Sequence, residues 1–174
     1  ASFLREGKLI EGALGEQFFT KRVSEQFLPQ RKKTNKKTSP QKKNIRRIEV
    51  GIACIHQNGK YLVQARPKGK SFAGFWEFPG GKREKGESFR HCVKREILEE
   101  IDVKVSVRPH FYEELCKFEN TELLLRFHRA QIQSGIPKPL ENQEIDWITP
   151  ADFFNRKFLK TNQKALQKLQ KMRV

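Results

Sequence analysis

The stretch GKREKGESFRHCVKREILEEIDV, from Gly81 to Val103, decides how the rest of the chain is read. From Ser88 to Glu100 the apolar residues Phe89, Val93 and Ile97 fall four apart, with Cys92 alongside, which predicts a helix. On that helix Glu96, Glu99 and Glu100 stand at i, i+3 and i+4. Such positions share one face, about 5–6 Å apart. Three like charges so placed repel one another, and Lys94 and Arg95 offset this only in part. A hard divalent cation would make the cluster worthwhile, because Mg2+ takes oxygen ligands and commonly shares them with phosphates. The bland alternative is a solvated acidic face on a surface helix.

The residues before the helix weigh against the bland alternative. Glu87 precedes Arg95 by eight residues, Gly81 precedes Glu87 by six, and Pro79-Gly80-Gly81 feeds the segment. Two adjacent glycines permit a close backbone approach that side chains would block. After the helix comes Asp102, one of the few residues besides glycine that tolerate the left-handed conformation ending many helices.

Upstream, Ile48–His56 (IEVGIACIH) and Tyr61–Ala65 (YLVQA) flank Asn58-Gly59, a hairpin signal. A loop from Arg66 to Gly74 leads into Phe75-Trp76-Glu77-Phe78. Downstream, Val103–Arg108, Tyr112–Phe118 and Glu122–Ile132 read as strands, Trp147-Ile148 as a short one, Ala151–Phe154 as a turn or short helix, and Asn162–Met172 as a basic helix. No regular alternation of strand and helix appears, so the expected class is α+β with a mixed sheet.

Residues 1–44 differ in composition. Phe3–Leu28 carries scattered apolar residues among charges, with Gly7, Gly12 and Gly15 interrupting any helix. Residues 29–44 (PQRKKTNKKTSPQKKN) hold no apolar residue and many lysines, and read as a flexible basic linker. The expected organisation is a partly disordered arm and linker over 1–44 and one globular domain over 45–174. A net charge of +16 over 174 residues favours polyanionic partners, namely nucleotides or nucleic acid, although plain solubilising lysine explains it as readily. Weak nucleic-acid binding through the linker is the partner expectation there.

Cys54, Cys92 and Cys116 are odd in number and widely spaced, which is poor material for a disulfide framework or a zinc site. A reducing, cytoplasmic location is expected. There is no run of 18 apolar residues, so no membrane span is expected, and Glu6, Glu11 and Glu16 argue against a transit peptide. The first residue is not Met, and the sequence is read as a processed chain or a fragment.

The spacing Gly81, Glu87, Arg95, Glu96, Ile97, Glu99, Glu100 matches GX5EX7REUXEE, the Nudix box, and the chain resembles the Nudix hydrolases. It departs at Asp102, where the family usually has Gly. The resemblance implies a Nudix fold, a mixed sheet between helices, and an enzyme cutting phosphoanhydride bonds with Mg2+, for which Mn2+ can substitute. It implies metal ligands at Glu96, Glu99, Glu100 and the Gly80 carbonyl, with Arg95 orienting the acids by pairing with Glu87 or Glu99.

Within the family, EFPGGK (Glu77 to Lys82), Arg66 and the string from Glu141 to Trp147 look like the MutT-type 8-oxo-dGTP diphosphatases. That likeness implies that Glu141 is an outlying metal ligand, that Arg66, Glu77, Phe78, Pro79 and Gly80 line the nucleotide site, and that Asn162 reads the oxidised purine. Asn162 reads equally well as a helix N-cap. Either Glu96 or Glu141 could be the general base. Lys82 and Arg83 could hold phosphates or be solvated. The implied reaction is NTP + H2O → NMP + pyrophosphate. Alternatives are a nucleotide sugar, dinucleotide or 5′-triphosphate RNA as substrate. The recognition domain of MutY-type adenine glycosylases shares WEFPGG but generally lacks the glutamates kept here. The last alternative is a nucleic-acid-binding module dominated by its basic segment.

Overall fold

Strand β1 (Arg46–Gln57) joins the rest of the sheet together, because both its edges are used. Ile52 to Ile55 are buried on both faces, the pattern of a central strand. The computed structural model describes residues 45–172, so the expected arm and linker lie outside the described residues.

β1 turns at Asn58 and Gly59, with φ of 50° and 74°, into β2 (Lys60–Ala65). Positive φ at both turn residues suits a two-residue hairpin. The hairpin is shorter than the sequence predicts. Only His56↔Tyr61 and Gln57↔Lys60 pair before the strands part. β2 then pairs with β3 (Trp76–Glu77) on one edge and β7 (Glu144–Ile148) on the other. β4 (Gly80–Lys82) takes the edge of β1 that β2 has left, setting Gly81 opposite Gly51. The opposite edge of β1 carries β6 (Thr121–Ser134) in parallel, and β6 pairs antiparallel with β5 (Lys104–Lys117). The sheet is therefore mixed, as expected. Two predicted strands, Val103–Arg108 and Tyr112–Phe118, are one strand whose register slips between Val107 and Tyr112. Pro109 lies in that slip and has no N–H to give to a ladder.

Helix α1 (Phe89–Ile101) begins at Ser88, whose hydroxyl accepts from the His91 N–H at 3.2 Å. Val93, Ile97 and Ile101 pack on Ala53 and Ile55 of β1, Val105 and Val107 of β5, and Ala130 of β6. Burying each such side chain contributes about 1.5–3 kcal/mol. A separate ring cluster of Tyr61, Phe78, Phe153 and Phe158 joins β2 to the 3-10 turn Pro150–Asn155. Helix α2 (Gln163–Lys171) buries Ala165, Leu166 and Leu169. Cys54, Cys92 and Cys116 are all free thiols. Among the described residues no helix is long and apolar enough to cross a membrane.

Asp102 ends α1 in the left-handed conformation, φ 58° and ψ 37°, and its N–H donates to the Leu98 carbonyl. A residue with a Cβ pays a steric cost there that glycine does not. Its Lys138 partner at 3.7 Å is a surface pair and contributes little. Asp102→Gly should therefore stabilise the protein by about 0.5–1 kcal/mol, the left-handed cost less the greater unfolded-state freedom of glycine, read as a raised midpoint in urea. An unchanged or lowered midpoint would show that the strain at this cap is negligible.

Candidate functional site

The site forms where β4, α1 and the loop after β6 meet. Gly80 has φ 148°, and a Cβ there would lie 2.2 Å from the Gly51 carbonyl oxygen. A Cβ on Gly81 would lie 2.1–2.4 Å from the carboxyl atoms of Glu96. The two glycines thus let β4 press against β1 on one side and let the Glu96 carboxylate rest on bare backbone on the other.

Arg95 holds the acidic groups apart and in place. Its Nε and Nη2 donate to the two oxygens of Glu87 at 3.1 and 3.0 Å. Nη1 donates to Glu96 at 2.9 Å and to Glu99 at 3.1 Å, and Nη2 also donates to the Lys82 carbonyl at 3.0 Å. The sequence left Glu87 and Glu99 as alternative partners. The guanidinium takes both, and Glu96 as well, because its five N–H groups fan out over one plane. These bonds hold the Glu87 carboxyl below its ordinary range and push the Arg95 pKa up.

Glu100 lies deeper. One carboxylate oxygen accepts from the Gly80 N–H at 3.0 Å and from Gln64 Nε2 at 3.2 Å. Burial, added to by Glu77 and Glu96, raises its pKa to about 8. Burial also raises that of Glu96, with Glu99 and Glu141 adding to the rise. Glu96 thus feels Glu99 and Glu141, and Glu100 feels Glu77 and Glu96.

Glu141 is carried by the loop after β6, which caps the orphan carbonyls of the α1 C-terminus. The N–H of Leu140 donates to the Glu100 carbonyl at 2.9 Å and that of Lys138 to the Ile101 carbonyl at 3.0 Å. Buried Gln143 completes the joint. Its amide oxygen accepts from the Glu141 N–H at 2.7 Å, and its Nε2 donates to the Glu100 carbonyl at 2.8 Å. The Glu141 side chain is half-exposed, 3.8 Å from Lys70. The string from Glu141 to Trp147 included Gln143 as a fixed position without giving it a role, and Gln64 was not singled out at all. A polar residue inside an otherwise apolar strand was the one available signal for Gln64.

On the other side of β3, Arg66 Nη1 donates to both Glu77 oxygens at 2.8 and 2.9 Å, and its Nε to the Ser71 carbonyl at 2.6 Å. Arg66 Nη2 is buried with no protein partner among the described residues. Burial raises the Glu77 pKa while Arg66 opposes the rise. Phe78 sits in the ring cluster, and its N–H donates to Asn162 Oδ1 at 3.2 Å. Asn162 is buried and makes no side-chain cap bond, so of the two readings the cap finds no support. Arg83 is bound to Glu49 and to the Glu87 carbonyl, so it is spent on structure rather than free for phosphate.

A hard divalent cation fits this donor set by its chemistry. Glu96, Glu99, Glu100 and Glu141 offer only oxygen ligands, and Glu100, raised by burial, is bonded only to the neutral Gly80 N–H and Gln64 amide. Among the described residues no three of them converge as a ready cage. Arg95 donates to Glu96 and Glu99 in this arrangement.

A family model for the NUDIX domain matches residues 45–169. The chain belongs to the Nudix hydrolase family, enzymes that act on phosphoanhydride bonds. It is 32% identical over 129 residues to the 8-oxo-dGTP diphosphatase of Haemophilus influenzae, covering 73% of this chain and 93% of that one. It is 31% identical over 108 residues to the CTP pyrophosphohydrolase of Escherichia coli, covering 62% and 80%. The fold superposes on MutT from a study of Aliivibrio salmonicida and Vibrio cholerae with a TM-score of 0.60 at 26% identity, over 72% of this chain and 98% of that one.

Glu100→Gln keeps an oxygen for the Gly80 and Gln64 donors but removes the charge. A carboxyl whose pKa is raised by folding to about 8 makes the folded state bind more protons than the unfolded state, so metal-free stability falls as pH rises from about 4.5 to 8. In EDTA the wild-type Tm should fall over that window beyond the trend of the variant, which should be the more stable at pH 8. A parallel pair of Tm curves would refute the burial of charge at Glu100.

Proposed function

We propose that this protein is a Mg2+-dependent nucleoside triphosphate pyrophosphohydrolase that converts 8-oxo-dGTP and water to 8-oxo-dGMP and pyrophosphate, so sanitising the nucleotide pool. Glu96, Glu99, Glu100 and Glu141, with the Gly80 carbonyl, are the proposed ligands, and Mn2+ can replace Mg2+. The cation supplies charge neutralisation on the phosphate oxygens and lowers the pKa of water. The observation that carries the proposal is the packing of the acidic face of α1 on the Gly80–Gly81 backbone, with the Glu96 carboxyl where a Gly81 Cβ would stand and Glu100 accepting from the Gly80 N–H.

The chain's own groups divide the work. Arg95 orients Glu96 and Glu99 through Nη1 and holds Glu87 as their outer support. Glu141 is the favoured proton acceptor for the attacking water: it is half-exposed and bound to no arginine, whereas Glu96 is packed on Gly81 and tied to Arg95. Gln143 fixes the backbone of Glu141 to the end of α1. Arg66, with its free Nη2, lies by the nucleotide and is held by Glu77. Phe78 and Asn162 form the base side, with Pro79 leading into the phosphate side. The free thiols fit the reducing cytoplasm. The likeness to a CTP pyrophosphohydrolase supports a second reading, in which a pyrimidine triphosphate is the substrate.

Glu100→Gln should lower kcat by at least about 100-fold, roughly 2.7 kcal/mol of transition-state stabilisation, measured as pyrophosphate release at saturating Mg2+. Wild-type turnover in that variant would remove Glu100 from the metal site. A chain starting at Ile45 should keep hydrolysis, since the compact unit Ile45–Val174 holds every proposed site residue.

Asn162→Ala tests the base. Discrimination between triphosphates must come from groups at the base, because all share the phosphates. Losing an amide that pairs a buried purine edge costs about 1–3 kcal/mol. The ratio of kcat/KM for 8-oxo-dGTP over dGTP should fall by at least about tenfold, with kcat changing less. An unchanged ratio removes Asn162 as the reader. A wild-type preference for CTP over both purines selects the second reading.

A further inference from the structure

A second cluster lies on the sheet face turned away from α1. Ala53 and Ile55 of β1, Ala130 of β6, and Val105 and Val107 of β5 pack in the α1 core. Side chains alternate along a strand, so their neighbours point to the opposite face. There His56, Ser106, Arg108, Arg129 and Gln131 line a cavity of about 110 Å3 with no carboxylate among its lining residues. The ladders place these side chains in two rows. Ser106 pairs with Gln131, and His56 follows the Ile55↔Ala130 pair to stand beside Gln131. Arg108 and Arg129 follow the Val107↔Ala130 pair, where the β5–β6 register shifts before His110 pairs with His128, and Arg129 is beside Cys54.

Two arginines lining one small cavity repel each other. Neither forms an ion pair or side-chain hydrogen bond with any described residue, although other surface arginines here, such as Arg83, Arg126 and Arg156, are paired with carboxylates. His56 also lines the cavity, with its Nε2 sealed from solvent and without a partner, on a ring packed 4.8 Å from that of Tyr61. Burial, followed by the charge of Arg129, keeps His56 on the neutral side of its ordinary range. The cavity therefore collects two arginines without an ion-pair partner among the described residues, a neutral imidazole and a carboxamide, and its lining supplies no anion.

The geometry points to this cavity as a binding site for one phosphate group, separate from the glutamate cleft, held by Arg108 and Arg129 beside the neutral His56. Arginine suits a tetrahedral oxyanion because its N–H groups can engage two oxygens at once. The phosphate can be a free ion or the terminal group of a nucleotide, and the two are separable by experiment.

The full chain, in EDTA to keep phosphate from binding through a metal, should be titrated with inorganic phosphate at constant ionic strength and followed by amide and imidazole NMR shifts. A parallel titration should use dAMP. Saturable shifts are expected at His56, Ser106 and Gln131, with a rise in Tm. In the double variant Arg108→Gln/Arg129→Gln the affinity should fall at least tenfold and the Tm gain should vanish, while Mg2+-dependent hydrolysis is unchanged. Shifts with phosphate alone assign the free ion; shifts at these residues only with dAMP assign a nucleotide phosphate. Either arginine single variant serves if the double variant fails to fold. Shifts no larger than those given by chloride, or equal phosphate affinity in wild type and the folded variants, would overturn the assignment.

Discussion

The five N–H groups of one guanidinium, that of Arg95, are what make the acidic face of α1 tenable. Glutamates one helical turn apart repel, and each loses solvation when the face is pressed against β4. Arg95 spends every donor it has on Glu87, Glu96, Glu99 and the Lys82 carbonyl. The helix, the loop carrying Glu87 and the strand carrying Gly81 are thereby locked to one another. A lysine could not replace it, since one ammonium cannot present a planar fan to three carboxylates.

That lock leaves Glu100 outside its reach, and the consequence is a deliberate imbalance. Glu100 is stabilised only by neutral donors, the Gly80 N–H and the Gln64 amide, so its charge is costly. A group held in this state gains more from an incoming cation than a carboxylate already paired with arginine does. The same economy appears on the opposite side of β3, where Arg66 satisfies Glu77 and keeps one buried nitrogen spare. Sites that act on ligands keep such unmet capacity, whereas purely structural polar groups are paired.

The fork in the sheet brings these groups together. β1 and β2 part after two residue pairs, and β4 enters the vacated edge, bringing the Gly-Gly backbone under α1. β2, freed from β1, carries Gln64 and Arg66 and takes β7 as its second neighbour. The loop ahead of β7 is thereby held against the C-terminal end of α1, where its N–H groups cap the last carbonyls and bring Glu141 toward Glu96. The opposite sheet face, with Arg108 and Arg129, shows the converse arrangement: positive groups gathered without a local counter-charge.

The sequence by itself determined the elements that depend on local spacing. The helix, its acidic face, the Gly-Gly strip, the Asn-Gly turn and the left-handed Asp102 all follow from residues a few positions apart, and all are present. The sequence also placed the family, because the fixed distances from Gly81 to Glu100 are themselves local. Only the tertiary structure decided what depends on long-range pairing. It shortened the hairpin, merged two predicted strands across Pro109, took Arg83 for Glu49, denied Asn162 its cap bond, and gave Gln64 and Gln143 their places around Glu100 and Glu141. Those outcomes turn on which donor finds which acceptor across dozens of residues, and spacing along a chain carries no information about that.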